Sequence, residues 1–338
     1  MDEAYPMQDV VYHLAPSPAF AEDGVCFAAR MSGLYRSDDG GATWRFVYES
    51  LEGEQARLDD APVATTAVAL SPAFASDRSV FAGVQGAVLR SVDGGQNWYI
   101  AGLGTPPPLI SALVVSPDFA EDGVVLAGGM EDGIFRSSDR GGQWARWNFG
   151  LLDLNILSMA ISPDFARDET LFVGTESGIF RSTNGGRAWR EVGASTLAQR
   201  SYEPSPADFA PVLSLAISPG YASDGTVFAG TESAGLFCSR DRGRTWERVD
   251  GGAITDSVNA IILAPALPTA APAVLAATSA ALHLSRDGGQ SWSSLEAVQS
   301  LEGVEAGISA VAAPSGLLPG AALLVGTANG EVHRLEAF

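Results

Sequence analysis

The chain has 338 residues, of which 46% are hydrophobic and 18% are charged, and its formal net charge is −20. All 20 basic side chains are arginines. Because a strongly acidic surface repels phosphate groups, this balance argues against nucleic acids and anionic membranes as partners. No apolar run reaches the roughly 18 residues of a membrane-spanning helix.

The N-terminal residues and the two cysteines are the sequence features that bear on location. Residues 1–4 are acidic and have neither the basic nor the apolar region of a signal peptide. Cys26 and Cys238 lie in strands of different repeats and are expected to be buried free thiols, not a disulfide framework. These features predict a cytoplasmic location.

The predicted elements, taken in chain order, form seven similar units. Each unit has four short strands, A to D, that are rich in β-branched and aromatic residues and bounded by Gly, Pro, Asp or Ser. The fourth unit shows the pattern best, with strands expected at 158–163, 171–174, 178–181 and 188–192. The units cover residues 9–50, 64–102, 109–149, 155–193, 211–250, 257–297 and 306–338.

A short motif, S-P-x-aromatic-x-x-D, joins strand A to strand B. Its first copy is residues 17–23, and it recurs at 71–77, 116–122, 162–168 and 218–224. Proline ends strand A because it has no ladder donor. The aromatic side chain is expected to cover the end of the unit, and the aspartate to accept bonds from turn amides before strand B.

A second motif, S-x-D-x-G-x-T-W or a close variant, follows strand C in six units. Successive copies begin 54, 46, 45, 57 and 46 residues apart. The aspartate is expected to accept bonds from turn amides, the glycine to adopt positive φ, and the tryptophan to be buried at the start of strand D. Because one copy has asparagine in the aspartate position, the motif fits a turn and not shared acid chemistry. The structural residues assigned to this box are Ser37, Asp39, Gly41, Trp44, Asp93, Trp98, Asp139, Trp144, Asn184, Trp189, Asp241, Trp246, Asp287 and Trp292.

The six boxes resemble those of the BNR or Asp-box β-propellers, within the wider WD40/YVTN/BNR-like class. That group includes sialidases, sortilin-type receptors, two-domain xyloglucanases and Ycf48-like photosystem II assembly factors. Repeats of this period also indicate a propeller independently. We therefore expect an all-β protein, a single seven-bladed β-propeller of four-stranded antiparallel blades. The seventh unit lacks a strand D, and residues 2–8 are expected to supply it.

Strand topology places the A–B links and the boxes on one face, and the B–C turns and D–A connections on the other. The second face varies most, with long D–A connections at 48–66 and 193–211 and Pro106, Pro107 and Pro108 in a third. Because binding usually resides on variable loops of a rigid scaffold, we expect partner contacts there. The candidate residues are Glu49, Glu52, Asp59, Asp60, Glu131, Asp132, Glu176, Arg200, Tyr202, Phe209 and Glu232.

Two other residue sets are interpreted as structural. Arginines precede the box serine or its equivalent at positions 36, 90, 136, 181 and 334, and are expected to pack or to pair with the A–B aspartates. His13, His283 and His333 lie in units that adjoin in a closed ring, but their positions are too far apart for the common point that zinc requires. No metal and no cofactor is therefore expected.

Three classes of function remain. The favoured one is a non-catalytic scaffold or recognition propeller that binds a protein or peptide partner. A glycan-binding lectin would need exposed loop aromatics, for which Tyr48 and Tyr202 are the candidates. A sialidase-like glycosidase would need convergent arginines, and only Arg30 occupies a plausible B–C turn. The chain is therefore expected not to be an enzyme.

Overall fold

In the computed structural model of the chain, each predicted unit forms one antiparallel sheet whose strands follow chain order. The first six sheets contain strands A to D, and the seventh contains strands A to C within the described residues. The model describes residues 8–51, 63–193, 211–264, 272–301, 303–318 and 320–335. Seven sheets stand in a ring, which confirms the predicted seven-bladed β-propeller. The A–B register within all seven blades shifts by one residue near the start of strand A.

The strands have the following bounds. The A strands are Val11–Pro16, Thr65–Leu70, Leu109–Val115, Ile156–Ile161, Val212–Ile217, Val258–Leu263 and Ile308–Ala312. The B strands are Cys26–Arg30, Val80–Val84, Val125–Met130, Leu171–Thr175, Val227–Thr231, Val274–Thr278 and Leu323–Thr327. The C strands are Gly33–Ser37, Ala87–Ser91, Gly133–Ser137, Ile179–Ser182, Leu236–Ser239, Leu282–Ser285 and Val332–Leu335. The D strands are Arg45–Phe46, Tyr99–Gly102, Ala145–Arg146, Arg190–Val192, Glu247–Arg248 and Ser293–Ser294.

The ring closes where the first blade meets the seventh. Val11 and Leu14 share one hydrophobic cluster with Ala310 and Leu324. Within the described residues the seventh sheet has three strands. The predicted closing strand at 2–8 falls almost wholly outside the described residues, which begin at position 8.

The joint between neighbouring blades depends on a small residue in strand B. A Cβ atom at Gly174 would lie only 2.6 Å from the carbonyl oxygen of Val212, in the A strand of the next blade. Beside it, the Ser158 hydroxyl donates to that same Val212 carbonyl at 3.0 Å. Ser214 makes the equivalent bond to the next blade at 2.7 Å. Glycine therefore lets adjacent A strands approach closely enough for these hydroxyl bonds.

Each of the five A–B links that carry the S-P-x-aromatic-x-x-D motif forms a single helical turn. The sequence predicted only a turn with an aromatic side chain over it. The first, Phe20–Asp23, buries Phe20 and ends at Gly24, whose φ of 61° is left-handed. Asp23 accepts a bond from the Ser17 hydroxyl at 2.7 Å and from the Val25 amide at 2.9 Å. The others are Phe74–Asp77, Phe119–Asp122, Phe165–Asp168 and Tyr221–Asp224.

The boxes form tight hydrogen-bonded turns on the same face as these links. Asp39 accepts bonds from the Ser37 hydroxyl at 2.8 Å and the Thr43 amide at 2.9 Å. The Gly40 amide donates to the Gly24 carbonyl at 2.9 Å, which ties the box to the A–B link. In the fourth box, Asn184 accepts from the Ser182 hydroxyl at 2.9 Å in the same way.

The arginines before the box serines connect adjacent blades, and Arg36 has the expected packing and ion-pair role, with an aspartate of its own box in place of an A–B aspartate. Arg36 bonds to the carbonyl oxygen of Gly94 in the next box and pairs with Asp38 in its own box. Arg334 donates to the Gly40 carbonyl at 3.3 Å, across the joint between blades seven and one.

Candidate recognition face

The face opposite the boxes carries the B–C turns and D–A connections, as strand topology requires. Glu49 is exposed in the 3-10 turn Glu49–Leu51. Glu131 and Asp132 form the B–C turn of the third blade, Glu176 lies in that of the fourth, and Glu232 in that of the fifth. The remaining candidates lie outside the described residues: Glu52, Asp59, Asp60, Arg200, Tyr202 and Phe209.

The D–A connection of residues 147–155 brings two of the acidic turns together. The Glu131 amide donates to the Asn155 side-chain oxygen at 2.9 Å. The Asn155 side-chain amide donates to Glu176 at 3.1 Å. Asp153 accepts a bond from the Ser177 amide at 2.8 Å. Glu131 and Glu176 are therefore parts of one surface, whereas Glu232 lies one blade further on, where its amide donates to the Pro211 carbonyl at 3.0 Å.

The same connection is fixed at its other end by Asn148. Its side-chain oxygen accepts from the Ile134 amide at 2.7 Å, and its side-chain nitrogen donates to the Asp132 carbonyl at 2.8 Å. Leu151 is buried between the blades. Backbone bonds from Gly133 to the carbonyl of Leu154, and from Trp189 to that of Phe149, complete the attachment.

Despite this attachment, the connection exposes large apolar side chains. Phe149 is 80% exposed, Leu152 is 82% exposed and Leu154 is 37% exposed. The sequence reading assigned no role to these residues. The signal was present as an apolar run, Phe149-Gly150-Leu151-Leu152, in a segment predicted to be a surface connection. Sequence alone does not tell which of these side chains turns inward.

Charges of both signs surround the connection. Asp132 pairs with Arg146 at 2.6 Å. Asp153 keeps a pKa below its ordinary value: burial raises it, but the bonds from Asn155 and Ser177 outweigh burial and favour the ionised form. Beside Phe149, a cleft is lined by Arg181 and Arg190 together with Thr183 and Asn184 of the fourth box. The connection is thus bordered by acidic residues at the B–C turns and by arginines where it meets the fourth box.

Two residues weighed for glycan recognition have structural positions instead. The expectation that Tyr48 is an exposed loop aromatic is wrong: it is 0% exposed, and its hydroxyl lies 2.8 Å from that of Thr65. The ring packs edge-on against Trp98. Arg30 ends a B strand and stacks over Tyr35 at 4.6 Å. Neither residue presents a polar or aromatic group freely to a sugar.

Among the described residues, the central channel holds no cluster of side chains that could bind a metal ion or act together in catalysis. All seven A strands line its cavity of about 410 Å³, with side chains such as Leu113, Leu157 and Leu213. His13 also lines it, and burial lowers the pKa of its ring, whose Nδ1 lies 2.9 Å from the Val68 carbonyl. Among the described residues, no group of three or more His, Cys, Asp or Glu side chains could hold a metal ion. Within the same residues, no helix is long and apolar enough to span a membrane.

Comparison with known proteins supports the repeat and the fold. A family model, the BNR-Asp box repeat, matches residues 134–146. No curated protein shows significant sequence similarity to the chain. The chain is a seven-bladed β-propeller whose third blade carries a BNR-Asp box repeat.

Solved structures with this fold include enzymes and a peptide-bound protein. The GH74 xyloglucanase from Xanthomonas campestris is 18% identical with a TM-score of 0.70, over 98% of this chain and 52% of that one. The chain therefore spans about half the length of that enzyme. A YCF48 structure bound to D1 peptide is 16% identical with a TM-score of 0.68, over 98% of this chain and 95% of that one. YCF48 from Cyanidioschyzon merolae is 14% identical with a TM-score of 0.64, over 98% and 97%. At these identities the likeness concerns the fold.

Proposed function

We propose that the protein is a non-catalytic recognition propeller that binds a protein or peptide partner through its B–C turns and D–A connections. One observation carries this proposal: residues 147–155 are held by hydrogen bonds at both ends and still expose Phe149 and Leu152. A fixed loop that holds large apolar groups in water is typical of an interaction surface. The box face, by contrast, is built from repeated turns whose polar groups bond to one another.

The fold neighbours are compatible with this proposal and with an alternative. A YCF48 structure of almost the same length was solved with a peptide bound. The xyloglucanase neighbour keeps open the glycan-binding or glycosidase function, but the chain spans about half of that enzyme. Since Tyr48 is buried and Arg30 is stacked, neither of these two residues supports a sugar site.

A binding experiment tests the proposal. The partner recovered from the source organism would be purified, and its affinity measured by calorimetry for the parent protein and for two variants. Glu131→Gln/Glu176→Gln alters the B–C face, and Glu121→Gln alters the exposed A–B link on the box face. We expect weaker binding for the first variant only. Recovery of no direct partner, or weakening by the second variant only, would contradict the proposal.

An activity assay tests the alternative. Hydrolysis of glycosides usually requires two carboxyl groups about 5–5.5 Å or 6.5–9.5 Å apart. We expect no release of product from fluorogenic sialosides or from xyloglucan oligosaccharides. Turnover that is lost in Glu131→Gln or Glu176→Gln would establish a glycosidase instead.

A further inference from the structure

We propose that the surface formed by Glu131, Phe149, Leu152, Leu154 and Glu176, here called the blade 3–4 ridge, binds a peptide segment in which Lys or Arg lies next to large apolar side chains. This inference rests on the proposed recognition function and specifies where the partner docks and what chemistry it has.

The apolar part of the ridge supplies the anchor. Phe149 and Leu152 are among the most exposed large hydrophobic side chains in the described part of the chain, and Leu154 of the same connection is 37% exposed. Large apolar side chains that are buried at the centre of an interface contribute most to its affinity. Two or three such side chains on one connection are enough for the centre of a small interface, provided that polar groups surround them.

The ridge is already in a fixed conformation. Asn148 and Asn155 bind the B–C turns at the two ends of the connection, and buried Leu151 holds its middle. Little loop ordering would therefore accompany binding, and ordering is one of the main costs of association. A preformed loop favours an occupant that adapts to it, which a short peptide does.

The charge of the ridge selects the occupant. Glu131, Asp153 and Glu176 lie on the Leu154 side of the connection, where Asp132 also pairs with Arg146. The whole chain carries a net charge of −20. The acidic groups on this side of the apolar anchors are complementary to a cationic partner.

The cleft beside Phe149 gives the peptide a direction. Arg181 and Arg190 share a cleft with Phe149 and with Thr183 and Asn184 of the fourth box, which lies on the face opposite the acidic turns. The cationic side chains of the partner therefore belong near Leu154 and Glu176, whereas its apolar side chains belong on Phe149 and Leu152. A second copy of this chain is a poor occupant because both copies carry the same strong negative charge. An anionic membrane is repelled for the same reason.

A peptide display library of random 12-residue sequences, selected on the intact protein, tests the proposal. We expect enriched peptides that combine Lys or Arg with Leu, Ile, Phe or Trp. Their affinity should fall by about tenfold or more in Leu152→Ser, the loss expected for an interface anchor. The matched control is Leu318→Ser. Leu318 is 51% exposed and lies outside the ridge. Glu176→Gln should weaken binding several-fold, and its control Glu121→Gln should not.

Several outcomes would overturn this inference while leaving the proposed function intact. These are enrichment of acidic peptides, equal binding to Leu152→Ser, and a native partner whose affinity is insensitive to both ridge variants. Sedimentation of the protein with phosphatidylcholine–phosphatidylglycerol vesicles, or dimerisation that Leu152→Ser abolishes, would assign the ridge to another occupant. Failure to enrich any peptide, together with failure to find a native partner, would remove the proposed function as well.

Discussion

At the scale of single residues, the box aspartates are turn builders whose ionised form is favoured by the turn itself. The Thr43 hydroxyl and amide, followed by the Ser37 hydroxyl, lower the pKa of Asp39 to about 2. Bonds from the hydroxyl and amide of Ser291 similarly lower the pKa of Asp287 to about 2. Asn184 accepts comparable bonds without a charge, so the turn needs an acceptor and not an acid.

These low pKa values predict how stability depends on acid. An aspartate side chain has a pKa of about 3.9 in the unfolded chain. Because the folded pKa is lower, the stabilisation is fully present above about pH 4 and is lost as pH falls toward about 2. The double variant Asp39→Asn/Asp287→Asn should therefore lose less unfolding free energy than the parent over this range. Urea unfolding at a series of pH values measures it, and equal losses would refute the assignment.

The box tryptophans differ in burial, which sequence alone did not distinguish. Trp98 is 6% exposed, and its indole N–H donates to the Val47 carbonyl at 2.8 Å. Trp144 is only partly buried and donates to Gly141 within its own box at 3.2 Å. Trp246 Nε1 is buried with no acceptor among the described residues.

We expect Trp98→Ala to lower the free energy of unfolding by about 3–5 kcal/mol, the usual loss for a buried large aromatic side chain. Trp144→Ala should cost less, because less of its ring leaves water on folding. Denaturant titration of both variants measures the difference. Equal costs, or a small cost for Trp98→Ala, would show that the ring contributes little to the joint between blades one and two.

At the scale of elements, the joint between adjacent blades depends on strand B glycines. Gly174→Ala should lower the unfolding free energy by about 1–3 kcal/mol, since the added methyl group must displace the Val212 backbone or the Ser158 hydroxyl. Gly129→Ala is the matched control, because its added Cβ atom would have its nearest neighbours at an ordinary 3.4 Å. Thermal melting compares them, and equal melting temperatures would contradict the close-approach explanation.

The elements also show what sequence reasoning can and cannot supply. The repeat period, the seven A strands and the six boxes were enough to predict seven blades. Strand topology then predicted the face on which each loop lies. The sequence did not predict that residues 147–155 form a fixed, exposed loop. The side chains of Asn148 and Asn155 hold this loop by hydrogen bonds to separate B–C turns, which are distant in sequence. Tyr48 was misjudged for a similar reason: its burial against Trp98 requires the neighbouring blade. Local patterns do not encode such tertiary contacts.

At the scale of the whole molecule, the ring is a rigid support with a strong negative potential. The potential should act mainly on the rate at which a cationic partner arrives. Glu176→Lys is expected to slow association several-fold at low salt and to change dissociation little, and the difference should shrink as salt is added. Stopped-flow mixing with the selected peptide measures both rates. A change confined to dissociation, or one matched by Glu121→Lys on the opposite face, would argue against docking beside Glu176.

The most direct test of the recognition account is amide hydrogen exchange of the protein with and without its bound peptide or partner. We expect added protection in the connection at 147–155 and in the B–C turns of blades three and four, with little change in the boxes and A–B links of the other blades. Protection confined to the box face would contradict the account.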